Sequence, residues 1–478
     1  MPLVHEAASV PDFDIEIEEQ GGTPRVAQFL GKAIFVSLLV LIVLTAIPYC
    51  TVETWWKSLF VCFVFALCIL WIVEGLLSGS WTTGARPILT PLLALAAFSL
   101  LQTLPLGTQA SAGISYSSWN AISADPYSTQ FFLLQLLGLT FASALLFRYA
   151  STERRLRTLI HLVIAVAVAS AIFGMLRQTT QHNVGFGLPL IRPEEGYGQF
   201  VNKNHFALLM EMALGLTLGM IVAGGVLREK ALIYFAALLP VWTSLVLSNS
   251  RGGLLAMLTQ VIAGVLLFTV VRPAPNTAQL GLSRVARMLP VRILLLLALL
   301  LGVIIGTIWM GGDRLASSIE QTHDEFDPAT AETRQGASRN EIWQASWRMF
   351  KAYPLVGVGL GAYRVAIPTY HDASGVLTPF EAHNEYLELL ACGGMIGLSI
   401  GVWFGVAVFR KTVRNLQSPN RFRRAACFGS ALGIIGVAVH SLFDFGLHLI
   451  ANALVFVALV VIATHRLEPG NTLQNDNV

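Results

Sequence analysis

Long apolar stretches alternate with short polar connections along most of the chain. About twelve such runs occur, at residues 33–50, 58–76, 88–105, 130–147, 158–176, 204–226, 231–248, 253–271, 292–310, 385–409, 425–445 and 449–465. Most of them approach the ~20 residues that an α-helix needs to cross the hydrocarbon core of a bilayer. The pattern therefore predicts an all-α polytopic membrane protein with about twelve transmembrane helices.

The predicted transmembrane domain, residues 33–466, lies between two polar tails. Residues 1–32 contain an acidic cluster followed by Arg25 and Lys32, and residues 467–478 follow the last run. We expect both tails to be cytoplasmic and the first to be disordered. The first apolar run lacks a small-residue cleavage pattern, so we expect it to stay as an uncleaved anchor.

Composition supports this class. Hydrophobic residues make up 55% of the chain, charged residues 12%, and the mean hydropathy is +0.65. Soluble domains carry about 25% charged residues, so an ordinary soluble enzyme is excluded. The cysteines lie in or beside apolar runs without metal-ligand spacing, which favours buried thiols over disulfides or metal ligands. They are Cys50, Cys62, Cys68, Cys392 and Cys427.

The distribution of Lys and Arg predicts the orientation of the helices. Alternate connections are rich in these residues, for example residues 148–157 and 410–424, whereas residues 106–129 contain none. Because cytoplasmic loops carry the excess of positive charge, both termini are predicted to be inside. The long polar interval 311–384 then lies outside as a large outer loop.

Several cations nevertheless fall on the predicted outer face, where they oppose this orientation. A bound anion is one candidate for their compensation. These cations are Arg177, Arg192, Lys203, Arg251, Arg314, Arg334, Arg339, Arg348, Lys351 and Arg364.

Arg339 opens a predicted amphipathic helix in the outer loop. Ser338 and Glu341 match a capping box, and Pro354 is expected to end the helix. Its apolar residues are predicted to share one face that rests on the membrane interface, namely Ile342, Trp343, Trp347 and Phe350. A helix N-terminus with an Arg is suited to a phosphate or pyrophosphate, although an exposed surface Arg explains the position equally simply.

Arg251 is the only charge between two apolar runs, in the segment Ser248–Gly253. An ionisable residue at that depth is a functional candidate, and the alternative is an Arg that extends to the interface. Gly252 and Gly253 are expected to allow a tight turn of the backbone there.

His383 directly precedes the tenth apolar run. Asn384 is a suitable N-cap and Glu385 falls in the first helical turn. A neutral imidazole at this interface can accept a proton from a sugar hydroxyl, because its unperturbed pKa is ~6.5. A structural histidine bonded to a carbonyl is the alternative.

Polar side chains also precede the sixth run on the same predicted face. Amides, a Lys and a His at the start of a helix suit hydrogen bonds to sugar hydroxyls or phosphate, and they suit helix capping equally well. These residues are Asn202, Lys203, Asn204 and His205.

Two further patterns predict structure rather than chemistry. His440, Asp444 and His448 are spaced by four, but Gly446 suggests a turn, so polar packing is expected and no metal site. The glycine-rich segment 357–361 follows a helix and not a strand, which argues against a nucleotide site.

Five of these segments, in this order and spacing, resemble the superfamily of O-antigen ligases and O-antigen polymerases. The resemblance covers about residues 195–450. Its segments are Phe200-Val201-Asn202-Lys203-Asn204-His205-Phe206-Ala207, Ser250-Arg251-Gly252-Gly253, Ser338-Arg339 with Trp343, Pro354-Leu355-Val356-Gly357-Val358-Gly359, and His383-Asn384-Glu385-Tyr386-Leu387.

The resemblance implies a GT-C-like membrane fold in the bacterial inner membrane and a metal-independent, inverting glycosyl transfer without a cofactor. The implied donor is a glycan on undecaprenyl pyrophosphate. The implied acceptor is a sugar hydroxyl of lipid A-core or of a growing glycan, and nucleic acid is not a partner. Arg251 and Arg339 then resemble the arginines that hold the pyrophosphate, and His383 resembles the catalytic histidine. Candidate substrate-binding residues are Asn202, Lys203, Asn204, His205, Asn384, Glu385 and Arg192.

Other functions remain open. A repeat-unit polymerase and a protein O-oligosaccharyltransferase use the same chemistry. A transporter or flippase requires ionisable groups near the midplane and similar halves. Glu74 and Glu211 are the main intramembrane acids, and we expect them to be paired within the bundle.

Overall fold

The computed structural model describes residues 24–47, 49–81, 85–105, 121–180, 188, 191, 195–268, 339–371 and 379–465. The ninth apolar run, the outer loop up to Ser338, most of both tails and Arg192 lie outside these residues. The predictions made for them stay predictions.

The described residues form helices and contain no strand. The helices are α1 (Arg25–Thr45), α2 (Thr54–Ser78), α3 (Arg86–Thr103), α4 (Pro126–Tyr149), α5 (Glu153–Thr180), α6 (Lys203–Val222), α7 (Ala231–Leu247), α8 (Arg251–Phe268), α9 (Arg339–Ala352), α10 (Tyr363–Ala366), α11 (Glu385–Leu416), α12 (Arg421–His440) and α13 (Ile450–Thr464). Short 3₁₀ turns occupy Tyr49–Thr51, Arg228–Lys230, Ile367–Thr369 and Gly446–His448.

Eight of the described helices are long and apolar enough to cross a membrane, namely α1 to α6, α11 and α12. Three shorter apolar helices, α7, α8 and α13, accompany them. The prediction of an all-α polytopic membrane protein is thereby confirmed. Helix α1 begins at Arg25, eight residues before the first apolar run at 33–50. A helix can continue beyond the hydrocarbon core because its backbone N–H and C=O groups are still hydrogen-bonded there, within the helix or to water.

Helix α6 lies at the centre of the bundle and packs most closely against α12. Gly215 and Gly219 on α6 face Gly429 and Gly433 on α12. A Cβ atom at Gly215 would lie 2.5 Å from the backbone nitrogen of Gly433. Small residues four apart on both helices let the two backbones touch, which is how helices gain dispersion energy inside lipid.

The glycine-rich segment 357–361 packs against a break in α11. The helix is interrupted at Gly394, whose φ is 59°. The N–H groups of Val358 and Gly359 donate to the carbonyls of Ala391 and Cys392 at 3.1 and 2.9 Å. The segment therefore replaces helical hydrogen bonds that α11 loses at its break.

Gln102 of α3 fastens the same junction. Its Nε2 donates to the carbonyls of Val356 and Cys392 at 2.7 and 3.1 Å, and its Oε1 accepts from the N–H of Leu360 at 3.0 Å. Both the amide nitrogen and the amide oxygen of Gln102 thus have backbone partners. The segment that follows α9 is held against the bundle by these contacts.

The four apolar residues predicted to share one face of α9 do not share it. Ile342 is buried, but Trp347 is 47% exposed and contacts Phe350 with ring centroids 5.0 Å apart and ring planes tilted by 39°. The buried face instead consists of Ile342, Ala345, Ser346 and Met349, which has helical spacing. Smaller residues fit the close contact with α11, so the large aromatic residues are left on the outside. The helix ends at Ala352, before Pro354 as predicted.

The cysteines are all free. Cys50, Cys392 and Cys427 are buried, as expected for small apolar side chains, whereas Cys62 is exposed on α2. The buried acid Glu74 is paired as predicted, since its Oε2 accepts from Arg148 Nη2 at 2.7 Å and from the hydroxyl of Tyr149 at 2.9 Å.

The close contact between α6 and α12 gives a stability prediction. We expect Gly219→Ala to lower the free energy of unfolding by about 1–3 kcal/mol, because the added methyl group meets the backbone of Gly429. Thermal unfolding of the purified protein measures this. Gly405→Ala is the control, since no heavy atom lies within 4 Å of its Cβ position. Equal unfolding midpoints for the two variants would contradict the packing described.

Candidate active site

The loop before α11 holds His383 in a defined conformation. The N–H of Ala382 donates to Glu388 Oε2 at 2.9 Å, and the carbonyl of Ala382 accepts from Trp343 Nε1 at 3.0 Å. His383 itself has a φ of 50°, which is uncommon for a residue with a side chain. Asn384 then caps α11 by accepting from the N–H of Leu387 at 3.0 Å. Both sides of the strained residue are fixed by hydrogen bonds, as is typical of functional sites.

A second loop, after α12, brings a carboxylate to His383. The helix ends at His440, and the side chain of Asp444 in the following turn is 1% exposed. Asp444 Oδ1 lies 3.5 Å from His383 Nδ1 and 3.7 Å from His205 Nε2. One buried carboxylate thus faces two imidazoles from different parts of the chain.

Asp444 is ionised in this arrangement. Burial opposes its ionisation, but His205, His383 and His440 outweigh that effect and hold the pKa of Asp444 well below its usual range. An ionised carboxylate next to Nδ1 of His383 favours the tautomer with the proton on Nδ1. The Nε2 atom of His383 is then the nitrogen with a free lone pair.

Phe445 shapes the surroundings of both histidines. Its ring centroid lies 4.8 Å from that of His205 and 4.9 Å from that of His383, both in edge-on contacts. The ring of His448 also contacts Phe445, with centroids 5.7 Å apart. The phenyl ring is therefore in contact both with the two imidazoles at Asp444 and with His448, which belongs to a second ionisable cluster.

The N-terminus of α8 places Arg251. Asn249 makes the preceding turn with a φ of 52°, and the buried Ser250 Oγ accepts from the N–H of Gly253 at 3.2 Å. The expectation that Gly252 and Gly253 form this turn is wrong, because both lie inside α8. They instead allow close packing, since a Cβ at Gly252 would lie 3.0 Å from the ring of His440.

Lys203 is the first residue of α6 and Arg251 is the first residue of α8. The two positive charges interact electrostatically. Asn202 caps α6 by accepting from the N–H of Asn204 at 2.8 Å. Two positive helix ends that each carry a cation form a favourable place for an anion.

Arg339 lies within electrostatic range of the same region. As the first residue of α9, it acts on His440 at the end of α12. His440 Nδ1 in turn lies 3.0 Å from Glu211 Oε2, and both side chains are buried. The predicted intramembrane acid Glu211 is therefore paired with His440. The ring of His440 lies against Gly252, the residue next to Arg251.

The remaining predicted residues have structural partners. Glu385 Oε1 accepts from the N–H of Leu447 at 2.9 Å, and its Oε2 lies 3.4 Å from His448 Nε2. His205 is 6% exposed and faces Asp444, while Asn204 lies in the first turn of α6. Whether these residues bind a substrate stays a prediction.

The residues with a spacing of four, His440, Asp444 and His448, have different partners: Glu211, two histidines and a group of glutamates. The turn predicted at Gly446 is present, so His440, Asp444 and His448 do not share a helical face. Polar packing was the right expectation for His440. Asp444 was not predicted as a partner of His383, and its signal in the sequence is an acidic residue near the end of the apolar run 425–445.

The buried pair between α6 and α12 gives a second stability prediction. We expect His440→Leu to destabilise the protein by about 3–5 kcal/mol, because Glu211 would lose its partner in an apolar interior. The double variant Glu211→Leu/His440→Leu should recover most of that loss in thermal unfolding. A double variant that is as unstable as the single variant would contradict this account.

Comparison with known proteins agrees with the motifs. Residues 235–402 match the family model described as O-Antigen ligase. This range covers less than half of the chain and includes Arg251, Arg339 and His383, but not Asp444. No curated protein matches the chain. The family supports glycan transfer of the O-antigen ligase or polymerase type in general. Over residues 235–402, this multi-pass membrane protein is therefore similar to the O-antigen ligase family.

Proposed function

We propose that the protein transfers a glycan from undecaprenyl pyrophosphate to a sugar hydroxyl of lipid A-core on the outer face of the bacterial inner membrane. The observation that carries this proposal is the pairing of His383 with the buried Asp444 in one region with Arg251, Lys203 and Arg339. A proton acceptor and a concentration of positive charge are what this reaction requires.

The cations form the proposed donor site. A pyrophosphate leaving group gains negative charge as its bond to the sugar breaks. Arg251 and Arg339 are proposed to bind its oxygens, because the planar guanidinium group binds phosphate oxygens in pairs. The N-terminal N–H groups of α6 and α8 add positive potential in the same place. This arrangement stabilises the departing group without a divalent ion, as the resemblance implies.

His383 is proposed to activate the acceptor. Its Nε2 takes the proton of the acceptor hydroxyl while that oxygen forms a bond to the anomeric carbon. The bond between this carbon and the pyrophosphate oxygen breaks on the opposite side, so the configuration inverts. Asp444 stabilises the imidazolium that forms and keeps Nδ1 protonated, in the role that a buried carboxylate has in catalytic triads.

The charge distribution supports an outer location for this site. Helix α12 contains 20 residues, begins with Arg421, Arg423 and Arg424 and ends at His440. A helix of this length spans about 30 Å, the thickness of the hydrocarbon core. The arginine-rich end is expected in the cytoplasm, with both tails, and the end at His440 outside.

Two relatives of this reaction stay open as alternatives. A repeat-unit polymerase and a protein O-oligosaccharyltransferase would use the same donor site with another acceptor. Transport is less favoured, because the intramembrane acids Glu74 and Glu211 both have partners in the described bundle.

Transfer in proteoliposomes tests the proposal. The donor is an undecaprenyl pyrophosphate glycan and the acceptor is lipid A-core. We expect wild type to transfer, and we expect His383→Ala and Arg339→Ala each to reduce the rate by about 100-fold or more. The matched controls are His161→Ala and Arg348→Ala. In the wild type, His161 contacts Tyr234 between α5 and α7, and Arg348 lies on the same helix as Arg339. Both should transfer at the wild-type rate.

The outcomes separate the alternatives. Elongation of the donor glycan by wild type would identify a polymerase, and transfer to a protein hydroxyl would identify a protein oligosaccharyltransferase. Donor movement across the bilayer without transfer would indicate a flippase. Full activity of the His383 and Arg339 variants would show that the proposed site is wrong.

Asp444→Asn tests the positioning of His383. We expect kcat to fall by about 10- to 100-fold with little change in KM, because a carboxylate beside an active imidazole acts through its orientation and charge. The control Asp125→Asn removes a carboxylate that caps α4, and Asn is an equally good cap. If Asp125→Asn lowers kcat as much as Asp444→Asn does, a specific role for Asp444 is contradicted.

A further inference from the structure

We propose that Glu381, Glu388 and His448, assisted by Glu385, form a site for one divalent transition-metal ion that fastens the loop of His383 to the turn of Asp444. The ligand atoms of Glu381, Glu388 and His448 lie within 4.8 Å of one another. They come from three parts of the chain: the loop before α11, the first turn of α11 and the 3₁₀ turn after α12.

The distances fit first-row metal coordination. His448 Nδ1 lies 3.5 Å from Glu381 Oε2, and His448 Nε2 lies 3.4 Å from Glu385 Oε2 and 3.6 Å from Glu388 Oε1. Ligands bound at ~2.1 Å in a tetrahedral site are about 3.4 Å apart. The two ring nitrogens face different carboxylates, so His448 would bind the ion through one nitrogen, and the carboxylate at the other nitrogen would rotate toward the ion.

Backbone N–H groups already orient two of the carboxylates. Glu388 uses Oε2 to accept from Ala382, and Glu385 uses Oε1 to accept from Leu447. In each case the other oxygen points toward His448. A carboxylate with one oxygen bound by the protein and the other directed at a common point is the usual outer-shell arrangement of a metal site.

Charge argues for a cation at this point. Three carboxylates converge on one imidazole, and the other cation near Glu381 is Lys57. A divalent cation at this point would be attracted by all three carboxylates and could take over the role that the imidazole has in its absence. A mixed set of one imidazole and carboxylates suits Zn²⁺ or Mn²⁺ better than Ca²⁺, which takes oxygen ligands alone.

The location defines the role of this ion. The proposed ligands are Glu381, Glu388 and His448 and include neither His383 nor Asp444, so the ion is given no part in the proposed displacement. It would instead join Glu381, two residues before His383, to His448, four residues after Asp444. The ion would hold the two loops of the candidate active site in register.

Metal content and thermal stability test this inference without any activity assay. Purified full-length protein is stripped with EDTA, incubated with Zn²⁺ or Mn²⁺ and dialysed, and bound metal is measured by inductively coupled plasma mass spectrometry. We expect about one ion per wild-type chain and a higher unfolding midpoint in its presence. The double variant Glu381→Gln/Glu388→Gln should bind no ion and show no shift.

A control variant, a folding check and a further variant of the cluster complete the test. Glu53→Gln removes a glutamate outside the cluster, at the start of α2, and should bind metal as wild type does. The double variant removes repulsion, so it should fold without metal, and gel filtration checks this. His448→Gln removes the imidazole alone and should also abolish binding.

Specific results would overturn the inference. Wild type that retains no more metal than the double variant would exclude the site. Stabilisation of wild type by acidification alone, with no response to Zn²⁺ or Mn²⁺, would show that protons and not a metal ion hold the cluster together. Because neither result depends on transfer, failure here leaves the proposed function untouched.

Discussion

The ionised carboxylate of Asp444 is the contact on which the candidate site depends. It lies buried in the turn after α12 and faces His383 from one loop and His205 from α6. A buried charge of this kind is stable only with close partners, so the loop of His383, the start of α6 and the end of α12 have to stay together. The packing of these three segments in the folded bundle therefore also assembles the candidate site.

Two groups of ionisable residues differ in sign. Arg251, Lys203 and Arg339 are the first residues of α8, α6 and α9, whereas the carboxylates of Glu381, Glu385 and Glu388 face His448. An anionic donor would be repelled by three carboxylates in direct contact. The pairing of those carboxylates with His448 reduces this repulsion at the proposed pyrophosphate site, where positive charge is needed.

The sequence predicted the membrane class and the helices, because both depend on local pattern. Apolar runs of spanning length located the described helices to within about five residues at most ends, and capping signals placed His383 and Arg339 at helix starts. The roles of these residues stay predictions. Asp444 could not be assigned as the partner of His383, since the two residues are far apart in sequence and meet only through the packing of α11 against α12. The predicted apolar face of α9 was wrong for a related reason: Trp347 fits the hydrophobic pattern together with Ile342, but smaller side chains form the face that packs beside α11.

The glycines explain how an apolar bundle can hold such a polar site. Inside lipid, hydrophobicity does not drive helices together, and association depends on close contact and on interhelical hydrogen bonds. Gly215 and Gly219 bring α6 directly onto α12, and Gly252 lets α8 approach the ring of His440. These contacts fix the ends of α6, α8 and α12 relative to one another, and those ends carry His205, Arg251 and the turn with Asp444. A side chain at any of these glycines would separate the helices, and the charges at their ends would then lose the short distances on which their pairing depends.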